Sequence, residues 1–420
     1  MNTQPFKPKS TFLREMIGRG HVYQMTDEQG LDSYCSNNIA VGYIGFDCTA
    51  KSLHVGSLVQ IMNLRRLQQA GGKPIVLMGG GTTKVGDPTD KEKSRPILTV
   101  EEIRANMASI KKNFEPFLKF GSGPSDAIMI DNAEWLDELK YIEFLRDFGK
   151  HFTINKMIAQ ETVARRLRNE EPYTFLEFNY MLLQAYDFLE LAKRFDCRIQ
   201  MGGSDQWGNI VNGIDLTRRI IDLPVFGVTT PLITTASGGK MGKTAEGAVW
   251  LNPEMRSPYD YWQFWRNTED ADVGRFMRLF TDMPEAEIAT YERAEGAAIN
   301  EAKKRLADEA TAMLHGPDEA KKASAAAEAV FKGGTSENMP TFEVERAKLA
   351  AGYGILDALV AAGLAESKGE ARRSIQGNAV KLNGEAVSDE KLMIGEAALD
   401  ADGSARLSVG KKRHARLKAV

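Results

Sequence analysis

The chain has little of several features that mark particular classes of protein. It holds only three cysteines and five scattered histidines in 420 residues, so neither a disulfide framework nor a Cys/His zinc site is indicated. No apolar run approaches the roughly 20 residues that span a bilayer, and residues 1–20 lack the apolar centre of a signal peptide. The net charge of −3 excludes a general coating of nucleic acid but allows local basic patches. These absences favour a protein of the reducing cytoplasm with no membrane segment.

What is present is the composition of an ordinary globular protein, with 43% apolar and 26% charged residues. A chain of 420 residues is too long for one core, which predicts two or three domains. Up to about residue 233, β-like and helical segments alternate, which predicts a mainly parallel sheet with ligands at the carboxyl ends of its strands. A long helical segment at 132–194 indicates an insertion between two strands. The strand candidates are 39–46, 74–78, 127–130, 198–201 and 226–233.

Two short tracts carry most of the chemical information. Residues 52–57 (SLHVGS) lie between a strand candidate and an amphipathic stretch, so His54 and Gly56 fall at a helix start, where backbone N–H groups bind anions. Residues 240–244 (KMGKT) place two lysines in a loop rich in Gly and Thr. Either tract alone is weak, because each pattern also occurs by chance or on a solvated surface. Together they predict a polyphosphate held at a helix start and clamped by lysines.

One helical segment combines a polar stripe with apolar surroundings. Tyr180, Gln184 and Asp187 stand at i, i+4 and i+7 and share one helix face. Such a stripe normally faces solvent, but the neighbouring residues are apolar on every side, as in a buried helix. A buried amide and carboxylate need partners. The pattern therefore predicts an internal polar pocket that takes a polar ligand.

These features resemble the class I aminoacyl-tRNA synthetases and, within them, the bacterial tyrosyl-tRNA synthetases. The tracts at 52–57 and 240–244 are similar to the two signature motifs of that class, whose ideal forms are His-Ile-Gly-His and Lys-Met-Ser-Lys-Ser. The resemblance covers almost the whole chain. Its other carriers are residues 43–47 (YIGFD), 86–88 (GDP), 180–187 (YMLLQAYD) and 202–207 (GGSDQW).

The resemblance implies an α/β fold of three parts. They are a Rossmann-like catalytic domain with a parallel sheet and a helical insertion, a helical domain on the anticodon side, and a small α+β S4-like RNA-binding domain. The insertion is expected to help form a homodimer interface, although it could instead simply cap the core. The expected boundaries are 1–248 for the catalytic domain, 249–335 for the helical domain, 336–350 for a linker and 351–420 for the S4-like domain.

The resemblance also implies the activity of a tyrosine–tRNA ligase. L-Tyrosine reacts with ATP to give tyrosyl-adenylate and pyrophosphate, and tyrosine then passes to the 3′-terminal adenosine of tRNA(Tyr). Catalysis is expected from placement and charge, helped by Mg²⁺ on ATP and with no protein-bound metal. Tyr43 and Asp187 match the residues that bind the phenol. The ammonium group is assigned to Asp87, Tyr180 and Gln184, the catalytic role to His54, Lys240, Lys243 and Gln206, and ATP binding to Asp47, Thr49, His54, Gly56, Gly203, Asp205 and Lys243.

The C-terminal segment contains a helix–helix–hairpin pattern. A helix is predicted at 354–363, Ser367 caps a second helix, and the turn dipeptide Asn383-Gly384 indicates a two-residue hairpin. Residues 411–418 hold five basic residues and no acid. The pattern resembles the S4-like domain, and the alternative is a small globular appendage with a solvated basic tail. The tRNA contacts are assigned to Lys91 and Arg95, in a polar loop that could equally be merely solvated, and to Arg372, Arg373 and Lys381.

The chain departs from the family pattern at three positions. Ser57 stands where a second histidine is common, Cys48 replaces a frequent proline, and Gly242 replaces a serine, which is expected to make the lysine loop more flexible. The nearest rival is a tryptophanyl-tRNA synthetase, and Tyr43 with Asp187 and the S4-like end favour tyrosine. A rival of another class is a noncatalytic RNA-binding protein that kept the fold, against which the retained lysines and His54 argue.

Overall fold

A computed structural model describes residues 6–89, 97–239, 241–244, 247–296, 298–331, 339–400, 402–410 and 413–420, with the backbone alone at 243–244 and 329–331. The chain forms two compact units. The first comprises Met1–Ser257 and Asn267–Leu314, and the second comprises Pro258–Arg266 and His315–Val420. None of the helices in these described ranges has the length and apolar character needed to cross a membrane.

The first unit is built on a six-stranded sheet with the strand order β1-β6-β5-β2-β3-β4. Strands β2 to β6 run parallel, and the two-residue β1 pairs antiparallel with β6 at the edge. The chain order reverses between β2 and β5, which is the point where parallel α/β sheets bind ligands. The strands of this sheet are β1 (Gln24–Met25), β2 (Val41–Asp47), β3 (Lys73–Gly79), β4 (Ile128–Asp131), β5 (Ile199–Gly203) and β6 (Phe226–Thr230), and the first unit also contains the paired strands β7 (Lys243–Thr244) and β8 (Gly247–Ala248).

This sheet confirms the predicted parallel α/β architecture and all five strand candidates. The candidate at 226–233 is too long, because β6 ends at Thr230 and the chain leaves the sheet there. Strand β1 was not predicted, because two residues are too few to show a period of two. The helices of the chain are α1 (Thr11–Gly18), α2 (Glu28–Asn37), α3 (Val55–Gln69), α4 (Val100–Lys111), α5 (Ala133–Leu136), α6 (Tyr141–Asp147), α7 (Ile154–Ile158), α8 (Glu161–Arg168), α9 (Phe175–Phe195), α10 (Trp207–Ile221), α11 (Pro258–Arg266), α12 (Val273–Phe280), α13 (Glu285–Tyr291), α14 (Ala298–His315), α15 (Pro317–Phe331), α16 (Arg346–Ala350), α17 (Ile355–Ala361) and α18 (Lys368–Gln376).

Helix α9 is the last of the five helices that form the insertion between β4 and β5. It begins with a reciprocal capping box, in which Thr174 and Glu177 each accept from the other's backbone N–H. Its apolar residues, such as Leu182 and Phe188, pack in one core with strand residues that include Ile75. Most of helix α9 is buried because its side chains are mainly apolar, and the helix thereby places the polar stripe in the interior.

The segment from α11 to α15 is helical as predicted, but the two units divide it. Helices α12, α13 and nearly all of α14 belong to the first unit, whereas α11 and α15 belong to the second. The sequence boundaries at 248 and 335 do not anticipate this division, because helical periodicity does not show which body a helix packs against.

The second unit contains a five-stranded sheet with the order β12-β11-β14-β15-β9, and β10 pairs separately with β13. Asn383 and Gly384 have φ of 50° and 89°, as the turn of a two-residue hairpin requires, and Ser367 caps α18 through the backbone N–H of Glu370. The predicted hairpin and cap are therefore confirmed. The strands are β9 (Thr341–Val344), β10 (Tyr353–Gly354), β11 (Val380–Leu382), β12 (Glu385–Ala386), β13 (Met393–Ile394), β14 (Ser404–Val409) and β15 (Arg413–Ala419).

Three details of the C-terminal prediction change. The helix predicted at 354–363 is shorter and spans Ile355–Ala361. The stretch assigned to the linker contains β9 and α16, and β9 pairs parallel with β15. The basic tail is largely the strand β15, in which Arg416 is buried against Ser404 and Asp402, because alternation places some of its basic residues on the inner face.

Candidate active site

A cavity of about 440 Å³ opens where the strand order of the first sheet reverses. Its walls come from β2, the start of α3, the end of β5 and the polar stripe of α9. The structure thus brings into one space residues that lie far apart in the sequence. The predicted tyrosine and ATP residues that line it are Tyr43, Asp47, Thr49, His54, Gly56, Asp87, Tyr180, Gln184, Asp187, Gly203, Asp205 and Gln206.

At one end of the cavity, His54 occupies the N-cap position of α3. Its Nδ1 accepts from the backbone N–H of Gly56 at 3.0 Å, so in the neutral ring the proton resides on Nε2. Gly56 has no room for a side chain, because a Cβ there would lie 2.7 Å from the His54 ring and 2.9 Å from the carbonyl oxygen of Met241. The helix start therefore offers a ring N–H and a bare backbone at the place predicted for phosphate.

The two signature tracts meet at this helix start. Gly242 has φ of +82°, and its carbonyl oxygen accepts from Val249 N–H at 2.9 Å. The carbonyl oxygen of Val249 in turn accepts, at 2.9 Å, from the N–H of Val55, which is the first residue of α3. The backbone of the lysine tract is thereby hydrogen-bonded through one segment to the histidine tract. Lys240 lies outside the described residues, and Lys243 is described only as backbone of the two-residue strand Lys243–Thr244, which pairs with Gly247–Ala248.

At the opposite end of the cavity, Asp187 is a carboxylate with 2% of its surface exposed. Trp135 Nε1 donates to Oδ1 at 2.8 Å, and Asn132 Nδ2 donates to Oδ2 at 3.0 Å. Burial raises the pKa of Asp187 to about 8, and the two hydrogen bonds lower it only in part. Asn132 and Trp135 were not identified from the sequence, although the place of Asn132 just after the carboxyl end of β4 is a signal that could have found it.

Tyr43 stands in the same buried end of the cavity. Its hydroxyl oxygen has no hydrogen-bond partner among the described residues, and its ring packs 5.4 Å from that of Phe188. Burial raises the pKa of Tyr43 well above its usual value, and the charge of Asp187 adds to this effect. A buried hydroxyl without a partner is costly. This end of the cavity is therefore suited to a ligand that carries its own hydrogen-bonding group.

Gln206 is hydrogen-bonded to two other residues that line the cavity. Its Nε2 donates to Asp87 Oδ2 at 2.9 Å, and its Oε1 accepts from Gln184 Nε2 at 3.3 Å. Asn209, which the sequence did not single out, also donates to Gln206 Oε1, at 3.1 Å. The network fixes Asp87 and Gln184 beside each other, and the Oε1 of Gln184 is buried without a partner in the described part of the chain. An ammonium group is a ligand that can donate to Gln184 Oε1 and pair with the charge of Asp87.

None of the residues assigned to tRNA is among the described residues that line the cavity. Lys91 and Arg95 are outside the described residues. Arg372 and Arg373 are exposed on α18, where Arg372 donates to Glu390 at 3.0 Å, and Lys381 is exposed on β11. These three residues belong to the second compact unit.

Comparison with known proteins agrees with these features. Residues 36–332 match the family model of class I tRNA synthetases for tryptophan and tyrosine, and residues 331–416 match the C-terminal domain model of SYY-like tyrosine–tRNA ligases. The tyrosine–tRNA ligase of Caulobacter sp. strain K31 is 58% identical, with 98% of each chain covered, and that of Rhodospirillum rubrum is 56% identical, with 98% of this chain and 99% of the relative covered.

Solved structures give the same result. A C-terminally truncated mitochondrial tyrosyl-tRNA synthetase of Aspergillus nidulans superposes with a TM-score of 0.70 at 30% identity, covering 77% of this chain and 95% of that one. A tryptophanyl-tRNA synthetase of Plasmodium falciparum shares the fold, with a TM-score of 0.54 at 15% identity, covering 74% of this chain and 84% of that one. The full-length identity to tyrosine enzymes decides between the two amino acids. The chain belongs to the tyrosine–tRNA ligases, a family of class I aminoacyl-tRNA synthetases.

Proposed function

We propose that the 440 Å³ cavity is the site at which this tyrosine–tRNA ligase forms tyrosyl-adenylate from L-tyrosine and ATP. The observation that carries the proposal is that buried polar residues, including Tyr43 and Asp187, and the start of α3 line one cavity. The adenylate then gives its tyrosyl group to the 3′-terminal adenosine of tRNA(Tyr).

The substrate phenol lies between Tyr43 and Asp187. The Asp187 oxygens each accept one hydrogen bond already, from Trp135 and Asn132, and a carboxyl group keeps lone pairs for a further donor in either protonation state. The hydroxyl of Tyr43 gains a partner that no described residue supplies. Phenylalanine brings no hydroxyl and leaves these buried groups unsatisfied, which is how a site of this kind rejects it. Tyrosyl-tRNA synthetases are the standard example of that rule.

The substrate ammonium group lies at Asp87, Tyr180 and Gln184. Asp87 supplies the opposite charge, and Gln184 Oε1 supplies an acceptor. Gln206, bonded to both residues, places its amide next to the reacting carboxylate. These contacts orient the carboxylate toward the helix-start end of the cavity.

The chemical step is an in-line attack by the tyrosine carboxylate on the α-phosphorus of ATP. A carboxylate O–P bond forms, the bond to the bridging oxygen breaks, and pyrophosphate leaves with that electron pair. The attacking group is already ionised, so no protein base is needed. His54, Lys240 and Lys243 stabilise the developing charge on the phosphates, and Asp47, Thr49, Gly203 and Asp205 hold the nucleotide.

Mg²⁺ enters this scheme with the nucleotide. Among the described residues there is no group of three His, Cys, Asp or Glu side chains placed to hold a metal. We assign the ion to the ATP phosphates, where it supplies charge neutralisation when bound. The cytoplasm is the proposed compartment, and the three free thiols Cys35, Cys48 and Cys197 fit its reducing conditions.

A homodimer is proposed through the helical insertion. Helices α6 to α9 carry a series of large apolar side chains that are 40% to 69% exposed in the single chain, which is typical of a surface that a partner covers. The measurement is the solution mass by light scattering, against 46.4 kDa for one chain, with Ile142→Asp as the disrupting variant. A monomeric mass for the unaltered protein contradicts the proposal. The exposed apolar residues of helices α6 to α9 that form this proposed interface are Tyr141, Ile142, Ile154, Ile158, Leu167, Phe175 and Leu176.

The experiment that tests the proposed site is amino-acid-dependent ATP–pyrophosphate exchange. We expect exchange with L-tyrosine and negligible exchange with phenylalanine or tryptophan. Exchange that prefers tryptophan contradicts the phenol assignment. Absence of exchange with any amino acid favours the noncatalytic RNA-binding alternative.

A further inference from the structure

The loop that precedes Lys240 is fastened to the start of α12. The backbone N–H of Ala236 donates to Asp272 Oδ2 at 2.7 Å, and Ser237 Oγ donates to Glu269 Oε1 at 2.6 Å. The Arg275 guanidinium donates to the carbonyl oxygen of Thr234. Three hydrogen bonds thus tie this short loop to residues 269–275 at and just before the start of α12.

The side chain of Asp272 bonds to the loop and does not cap its own helix. It occupies the N-cap position of α12, where an Asp side chain ordinarily accepts from the first N–H groups of the helix, yet it makes no such bond. Its Oδ2 bonds instead to the loop, and its Oδ1 accepts from Arg275 at 2.7 Å. The carboxylate is only 3% exposed. Both oxygens of a buried acid are therefore committed to holding residues 234–236.

The far side of Lys240 is fixed as well. Met241 is buried, and its N–H donates to the carbonyl oxygen of Ile233 at 2.9 Å. Gly242 then rests against Gly56 at the start of α3. The loop is consequently held on one flank by α12 and on the other by α3.

Helix α12 is itself braced against α3. Asp282, just after the end of α12, accepts from Arg65 Nε at 2.9 Å and from the Arg66 guanidinium, both on α3. The start of α3 carries His54. The loop is therefore linked to the start of α12, and the end of α12 is linked to the C-terminal half of α3.

We propose that Asp272 is a positioning residue for adenylate formation, which sets the place of Lys240 and Lys243 relative to the ATP phosphates by holding the loop at Ala236. The inference rests on the proposed phosphate role of those lysines. Asp272 does not line the cavity, so it acts through the loop alone. Its contribution falls on the chemical step, because the lysines meet charge that develops there.

The test compares Asp272→Ala with Asp270→Ala in the full-length protein. Asp270 is an acid in the same short turn, 70% exposed, and it pairs with Lys303 and not with the loop. We expect Asp272→Ala to slow single-turnover formation of tyrosyl-adenylate by about 10- to 100-fold, as displaced catalytic groups do, while the Kd for tyrosine changes less than about two-fold. Asp270→Ala should match the unaltered protein. Equal rates for the two variants overturn the proposal.

Two further measurements separate positioning from general destabilisation. Hydrogen exchange at the Ala236 amide should accelerate in Asp272→Ala while amides of α9 keep their protection. If Asp272→Ala does not fold, Ser237→Ala removes the neighbouring bond to Glu269 at an exposed position, with an expected loss of about two- to five-fold in the same rate. An unchanged rate in Ser237→Ala, with Asp272→Ala unfolded, counts against the proposal.

Lys243→Ala distinguishes this inference from the role on which it depends. If Lys243→Ala forms adenylate at the normal rate, the proposed role of the lysines fails. If Lys243→Ala is slow and Asp272→Ala is not, the lysines act as proposed and the positioning role of Asp272 fails alone.

Discussion

A Cβ on Gly242 would lie 2.7 Å from the backbone nitrogen of Gly56. These glycines belong to the two signature tracts and lie 186 residues apart in the sequence. Their backbones touch with no side chain between them. The sequence predicted that Gly242 makes its loop flexible, whereas the structure shows two more specific reasons for glycine, a φ of +82° and this close approach.

Replacing Gly242 by alanine should therefore displace the lysine tract from the start of α3. We expect Gly242→Ala to reduce the rate of ATP–pyrophosphate exchange by at least about 10-fold and to leave tyrosine affinity nearly unchanged. The measurement is the exchange rate at saturating tyrosine over a range of ATP concentrations.

Gly238 provides the matched control for this variant. It lies in the same loop with φ of +89°, but no atom of the described residues stands within 4 Å of its Cβ position. Gly238→Ala introduces an unfavourable left-handed backbone conformation but no close contact of the new Cβ. Its rate of ATP–pyrophosphate exchange should therefore fall much less than that of Gly242→Ala. Equal losses in the two variants indicate that backbone strain alone, and not contact with Gly56, explains the glycine.

Selectivity for tyrosine should depend on Tyr43 and Asp187. Tyr43→Phe or Asp187→Asn removes a group assigned to the substrate hydroxyl, so kcat/KM for tyrosine should fall far more than kcat/KM for phenylalanine. Tyr186→Phe is the control, because Tyr186 is a neighbouring buried tyrosine that does not line the cavity. A proportional loss for both amino acids contradicts the assignment to the phenol.

The stability of the protein without ligand should carry a pH dependence from Asp187. Its pKa is about 8 in the folded protein against 3.8 ordinarily, so the folded state retains a proton that the unfolded chain loses between these values. The free energy of unfolding contributed by this group is therefore fully present below about pH 4 and declines as pH rises toward 8, by roughly 1.4 kcal/mol per pH unit.

Urea unfolding of the unaltered protein and of Asp187→Asn, at a series of pH values between 5 and 8, measures this effect. The variant lacks the titrating group, so the difference between the two unfolding free energies should fall steadily with pH. Parallel pH profiles for the two proteins show that the carboxyl is ionised in the folded state throughout this range.

Removal of the C-terminal sheet should separate the two reaction steps. A cut near Glu343 would divide β9, which pairs with β15, so truncation after Phe331 is the sharper design. Pyrophosphate exchange should persist, while tRNA charging should fall by at least about 10-fold and tRNA binding should depend less steeply on salt, since fewer phosphate contacts release counterions. Full charging with an unchanged salt slope contradicts an RNA-binding role for this part.

Point variants refine that experiment. Arg373→Ala and Lys381→Ala remove exposed charges and should weaken tRNA binding without affecting exchange. Arg416→Ala should instead lower stability, because this guanidinium is buried and bonded to Ser404 at 2.7 Å. A binding defect in Arg416→Ala as large as in the other two, with normal stability, contradicts this division.

The fold could be predicted from the sequence where the hydrophobic periodicity extends over many residues. The candidate site could be predicted where its residues form local patterns in the sequence. The strands of the parallel sheet and the buried stripe of α9 are of this kind. What could not be predicted depends on partners distant in the sequence. Asn132 and Trp135 matter because the fold places them on Asp187, and Asp272 matters because it reaches a loop 36 residues away. No local pattern encodes such pairings.

The order of the strands has a consequence for synthesis on the ribosome. Strands β2, β3 and β4 are neighbours in both sequence and space, so they can pair as soon as residue 131 has emerged. Strand β1 must wait for β6, since Gln24 lies opposite Thr229, and the start of α3 must wait for Val249. A nascent chain stalled in the insertion thus has part of its sheet but no assembled nucleotide site.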